Sequence, residues 1–284
     1  MIKKAMRYCC ITRINRSESE DILLPSDNIL NYNLTKVLGE GKFGRVYLGY
    51  NTKNNIFFAI KKSIKPNILF SNELIFLRKL KHSSLINLRE SFIYNNHHYL
   101  VLDCYNSGDL YMYIKNHHNF DLDITRKILL NLIRPLLYLK QHKIAHLDIK
   151  PENYLVRSIR DHNFVLTDFG TMREYKDYDT GFKLKKMVGT KNYAAPEIKE
   201  LLYSSRSDIW SLGQIILILI SGNMIEYNID YTQLDIYDLI KAFKVDKGSY
   251  NLLKKCFSID FKSRIKIEDI LDDKWVEDYY LRHY

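Results

Sequence analysis

The chain has 284 residues, 46% of them hydrophobic and 27% charged. That is enough apolar material for one large domain or two lobes sharing a cleft, and it excludes a disordered chain. The net charge of +10 would allow nucleic acid or an acidic membrane surface as partner, but the lysines are scattered rather than gathered in one stripe, so a solvated basic surface accounts for it. No apolar run is long enough to span a bilayer, residues 1–16 are basic without the apolar core of a secretory signal, and Cys9, Cys10, Cys104 and Cys256 lack the spacing of a zinc site or disulfide framework, which favours a reducing compartment.

Residues 1–31 show no clear periodicity, carry Ser17, Ser19 and Pro25, and read as an extension or loose cap. The segment 32–48 alternates around glycines, which predicts two strands and a turn. A β-rich run at 55–62 predicts another strand. Leu74, Phe76, Leu77 and Leu80 recur at helical spacing and predict a helix over 72–80. A short apolar strand at 99–103 is broken by Asn106-Ser107-Gly108, a linker signal. Beyond Asp109 the patterns turn helical: 122–141 is long and amphipathic, and 210–220 is almost wholly apolar and therefore buried. The expected architecture is α+β and bilobal: a strand-rich lobe over 32–102, a hinge over 103–108 and a larger helical lobe over 109–280.

Several motifs lie on this frame. Gly39-Glu40-Gly41-Lys42-Phe43-Gly44-Arg45-Val46 fits G-x-G-x-x-G-x-V, in which glycines let backbone N–H groups approach phosphate oxygens. Dinucleotide folds place a similar pattern between a strand and a helix, whereas Val46-Tyr47-Leu48 continues here as strand; taken alone, a plain glycine turn stays open. Ala59-Ile60-Lys61 follows on the next strand. His146-Leu147-Asp148-Ile149-Lys150-Pro151-Glu152-Asn153 sets an acid, a lysine and an amide at close spacing. Asp168-Phe169-Gly170, the run from Gly189 through Thr190 to Ala195-Pro196-Glu197, and Asp208-Ile209-Trp210-Ser211-Leu212-Gly213 complete the series. In this order they resemble the eukaryotic-type serine/threonine protein kinase family, from about Tyr32 to about Trp275.

The resemblance implies a bilobal catalytic domain over 32–280 that binds ATP and Mg²⁺ and phosphorylates Ser/Thr residues of proteins. Leu38, Gly39, Glu40, Gly41, Lys42, Phe43 and Gly44 would cover the nucleotide, with Val46, Ala59 and Leu155 around the adenine. Asp103 and Tyr105 would bind adenine through their backbone, with Leu102 guarding the rear of the pocket, and Asp109 would take the ribose hydroxyls. Lys61, held by Glu73, would reach the phosphates; strand alternation turns Lys62 to the other face. Asp148 would be the catalytic base and Lys150 would neutralise the transferring phosphate. Asn153 and Asp168 would hold the metal, as hard oxygen ligands. Lys150 and Thr190 match serine/threonine rather than tyrosine kinases. Glu197–Arg264 and Asp208 would be structural supports.

Leu147 stands where the family usually has an arginine that docks a phosphate of the activation loop. The same His-Leu-Asp occurs in relatives of myosin light-chain kinase. Activity is therefore expected not to depend strongly on loop phosphorylation, and Ala at Thr171 and Thr180 is expected to be tolerated. Asp109 and Glu152 match acids that bind basic residues ahead of the acceptor in some kinases; Ile218 replaces a third. The alternatives are a pseudokinase or scaffold, a small-molecule kinase, which would generally lack the 189–197 segment, and a nucleic-acid binder resting on charge alone. The expected location is intracellular, cytoplasm or nucleus, or a host cytoplasm for a viral source.

Overall fold

The computed structural model describes residues 27–41, 44–63, 68–117, 120–177, 180–223 and 232–277. Its first half is an antiparallel sheet of β1 (Asp27–Ile29), β2 (Tyr32–Gly41), β3 (Gly44–Asn51), β4 (Phe57–Ser63), β5 (Leu88–Tyr94) and β6 (His97–Leu102), in the order β1-β2-β3-β4-β6-β5. The helix α1 (Ile68–Lys79) lies between β4 and β5 in sequence. β1 belongs to the segment expected as an extension: Asp27 to Ile29 pair with Leu34 to Tyr32 and lengthen the sheet at its edge. β5 has no apolar alternation to reveal it. Its side chains are exposed or half-buried, and pairing with β6 defines it.

Alternation along β4 sorts its residues between two environments. Phe58 and Ile60 pack with Ile29, Tyr32, Leu34, Tyr47, Tyr99 and Val101 on one face. Ala59 faces the other way, against Leu38 and Val46. Lys61 shares that second side, and Lys62 reaches the ring of Tyr99 on the first, 5.8 Å from its centroid. The pattern predicts this division, and it points Lys61 inward.

The chain leaves β6 at Leu102 and re-enters regular structure at α2 (Leu110–Asn116). α3 (Leu122–Gln141) spans the range its amphipathic pattern predicts, capped by Asp121, which accepts from the Ile124 N–H at 2.7 Å. β7 (Ile144–Ala145) leads into the catalytic-loop motif, and β8 (Tyr154–Ser158) and β9 (Asn163–Leu166) form a hairpin behind it. β10 (Arg173–Glu174) returns to pair with β7. β11 (Phe182–Lys183) pairs with β12 (Leu202–Tyr203). α4 (Ser207–Ser221) is buried along nearly all its length, as its apolar run demands, with α5 (Gln233–Ala242) and α6 (Lys247–Cys256) beyond it. One apolar core joins Phe76 and Leu77 of α1, and Leu80 just after it, to Ile128, Leu132, Trp210 and Leu253 of the helical half, so the two halves share a packed base beneath the cleft. Among the described residues no helix is long and apolar enough to cross a membrane.

Candidate active site

The glycine-rich motif is the β2–β3 hairpin, with Gly39 opposite Val46, Glu40 opposite Arg45 and Gly41 opposite Gly44. A Cβ on Gly44 would lie 2.2 Å from the Lys62 carbonyl oxygen, so only glycine lets β3 pass so close to β4. Glu40 forms an exposed ion pair with Arg45 at 2.9 Å. Lys42 and Phe43 lie outside the described residues. Leu38, Val46 and Ala59 form a small apolar surface with Leu48 and Cys104; Leu155 packs on the main core from the other half.

Lys61 Nζ sits 2.6 Å from Glu73 Oε2 and 3.4 Å from Asp168 Oδ1. Burial works against its charge, but Asp168 and Glu73 outweigh burial and raise its pKa. Burial pushes the Glu73 carboxyl up, against the pull of Lys61. The cation of Lys61 holds Asp168 below the usual carboxylate range. Asp168 adopts a left-handed backbone conformation, φ 66° and ψ 71°, which turns its carboxylate toward Lys61 while Phe169 is fully buried, edge-on to His146. One side chain that sequence reasoning missed fixes this turn to α1. Asn72 Nδ2 donates to the carbonyls of Gly170 at 2.9 Å and Met172 at 3.0 Å, with a longer contact to Phe169 at 3.4 Å. Its proximity to Glu73 was the available signal, but asparagine on a helix has no pattern of its own.

Across the cleft, Asp148 Oδ2 accepts from Lys150 Nζ at 2.8 Å. Lys150 Nζ also donates to Thr190 Oγ1 at 2.7 Å. Asn153 Nδ2 donates to the Asp148 carbonyl at 2.7 Å, so its amide oxygen is the atom that could serve as a ligand. Asp148 Oδ1 is buried and, among the described residues, accepts no hydrogen bond; an incoming hydroxyl could satisfy it. Asp208 accepts from the backbone N–H groups of His146 and Leu147, each at 2.7 Å, and braces the loop through Leu147, whose φ is 67°. Burial raises Asp208 to about 7, opposed by those two donors. Gly189 (φ 84°) presses on the same loop, and a Cβ there would meet the Leu147 carbonyl at 2.3 Å. Glu197 and Arg264 form a bidentate pair, with two contacts of 2.8 Å.

Three residues expected around the nucleotide have side chains with partners of their own. The Asp103 side chain pairs with Arg89 and accepts from Asn87 at 3.0 Å, and its backbone N–H donates to the Asn87 carbonyl at 3.1 Å. The Tyr105 hydroxyl accepts from Arg157 at 3.2 Å. Asp109 is 1% exposed and caps α2 by accepting from the Met112 N–H at 2.8 Å; burial raises it to about 6. To accept from a ribose hydroxyl as well, its carboxylate would have to share that cap.

This arrangement places two lysines, three carboxylates and an amide around one cleft beneath a glycine hairpin. The sequence matches the family model for the protein kinase domain over residues 32–276.

The chain belongs to the protein kinase family. Among its relatives it is 31% identical over 270 residues to calcium-dependent protein kinase 4 of Plasmodium falciparum (isolate 3D7), an alignment covering 87% of this chain and 49% of that protein. It is 31% identical over 266 residues to the probable serine/threonine-protein kinase fhkC of Dictyostelium discoideum, covering 86% and 44%. It is 29% identical over 269 residues to serine/threonine-protein kinase 33 of Mus musculus, covering 86% and 54%. The chain thus spans about half the length of these relatives. In kinase terms, the α1 pairing Lys61–Glu73 is formed and the turn after Asp168 packs inward.

Proposed function

We propose that this kinase transfers the γ-phosphate of ATP to serine or threonine hydroxyls of protein substrates, without strong dependence on phosphorylation of its activation loop. The contact Asp148–Lys150–Thr190 carries the reading. It joins the base, the charge-neutralising lysine and the substrate-docking segment in one hydrogen-bonded group. The residues fit Mg·ATP: Asp168 and the Asn153 amide oxygen are hard ligands that phosphate oxygens would complete, and Lys61 supplies a cation. The metal, when bound, neutralises charge on the phosphates. Asp148 Oδ1 would orient the acceptor hydroxyl and take its proton, and Lys150 would offset charge on the phosphate.

Independence from loop phosphate has its own support. Leu147 is 6% exposed and part of the main core, so it offers no charge to a phosphate. Hydrogen bonds hold the segment instead: Asn72 to the 169–172 turn, β10 on β7, and Thr171 Oγ1 to the His146 carbonyl at 2.8 Å. Alanine at Thr171 would also cut that contact to the catalytic loop, so exposed Thr180 is the cleaner probe. The test is transfer of labelled γ-phosphate from Mg·ATP to degenerate Ser/Thr/Tyr peptides. Transfer to Ser or Thr that survives Thr180→Ala and disappears in Asp148→Asn is expected. ATP binding without transfer would establish a pseudokinase, and collapse in Thr180→Ala would show that the loop needs its phosphate.

A further inference from the structure

Residues 180–192 contain Lys183, Lys185, Lys186 and Lys191 and no carboxylate. All four lysines are exposed, and among the described residues none is paired with an acid. They lie on an ordered scaffold. β11 pairs with β12, the Leu184 N–H donates to the Leu201 carbonyl at 3.0 Å, and the Val188 N–H donates to the Tyr203 hydroxyl at 2.9 Å. Two residues later, Thr190 reaches Lys150 at 2.7 Å. Lys191 is its immediate neighbour, and Lys186, four residues away, is at most about 14 Å of extended chain from it. The cations therefore stand within a short peptide's length of the group expected to receive the acceptor hydroxyl.

The nearby acids do not cancel this charge. Glu197 is committed to Arg264 and Asp148 to Lys150. Asp109, expected from the resemblance to attract a basic residue, is buried and spent on the α2 cap. Glu152, half-buried, and Glu200, exposed and one residue before Leu201, remain as opposing carboxylates, two against four lysines. We propose that the substrate presents its serine or threonine within an acidic segment, whose Asp or Glu side chains lie against Lys183, Lys185, Lys186 and Lys191. This rests on the kinase reading above. An exposed ion pair contributes little by itself, but several acting on one peptide combine into about a tenfold preference, sensitive to salt.

The experiment compares kcat/KM for Ser/Thr peptides flanked on either side by acidic, neutral or basic residues, at low and high salt. The expected result is about a tenfold advantage of acidic over neutral peptides that shrinks as salt rises. The ratio should fall to near one in Lys183→Glu/Lys185→Glu/Lys186→Glu and be retained when the same lysines become arginine, a control for folding. Transfer with no acidic advantage, or with a basic one, overturns the proposal while leaving the kinase reading intact; absence of transfer to any peptide sinks that reading itself. A flat peptide ratio combined with binding of an RNA oligomer or an anionic vesicle that the Glu variant loses would also overturn it, by assigning the lysines to another polyanion.

Discussion

Lys61 has two carboxylates within reach, and the balance between them sets what it can do. At 2.6 Å from Glu73 and 3.4 Å from Asp168, it is held mainly by the first. Remove the charge of Glu73 and Lys61 is drawn toward Asp168, the candidate metal ligand. Glu73→Gln should therefore weaken nucleotide handling through both residues. A charge-assisted hydrogen bond is worth about 1.5–3 kcal/mol, which converts to roughly a ten- to hundredfold loss in kcat/KM, with a raised KM for Mg·ATP. Steady-state kinetics on the variant that matched the parent chain would show the pair to be idle. The motif order made this ion pair legible. The rival contact to Asp168 was not, because it depends on a left-handed turn 107 residues further along the chain.

At the scale of elements, helix α2 begins with a buried acid. Asp109 stands at about 6 instead of its ordinary 3.8 because burial disfavours its charge. A carboxyl whose native pKa exceeds its unfolded value favours folding while protonated, so this contribution is complete below about pH 4 and disappears as the pH rises through about 6. The full span is on the order of 3 kcal/mol. Asn keeps an oxygen for the Met112 N–H and cannot titrate, so Asp109→Asn should flatten that part of the profile. Urea unfolding of both proteins at pH 4 and pH 7 reads the difference directly; parallel profiles would place the charge of Asp109 in contact with solvent. Among the other elements, α3 and α4 follow from their hydrophobic periods. β5 and β1 do not, since an edge strand takes its identity from the neighbour it pairs with rather than from its own side chains.

For the whole molecule, the joint between the docking segment and the helical half is the Glu197–Arg264 pair. Arg264 also donates to the carbonyls of Ser258 and Arg206 and stacks over Trp210, 5.1 Å from its ring centroid. Its side chain is fully buried. Glu197→Gln strands this cation and should cost about 3–5 kcal/mol of stability, whereas Glu197→Leu with Arg264→Met should recover most of it, because breaking a buried pair is worse than replacing both members. Denaturant midpoints would separate these outcomes, and equal losses in the single and double variants would contradict the account.

The sequence by itself determined which groups would meet: the glycine-rich hairpin, Lys61 and Glu73, Asp148 with Lys150 and Asn153, and the long helices. Local geometry and apolar period bind each of these to its own segment. Tertiary structure decided the rest. It turned the Asp109 carboxylate onto a helix cap, gave Thr171 to the His146 carbonyl, spread Asn72 over the 169–172 turn, and left four exposed lysines over 183–191 that pair with no acid among the described residues. Those outcomes depend on burial and on partners distant in the chain, and hydrogen-bond commitments of that kind are settled only when the elements pack.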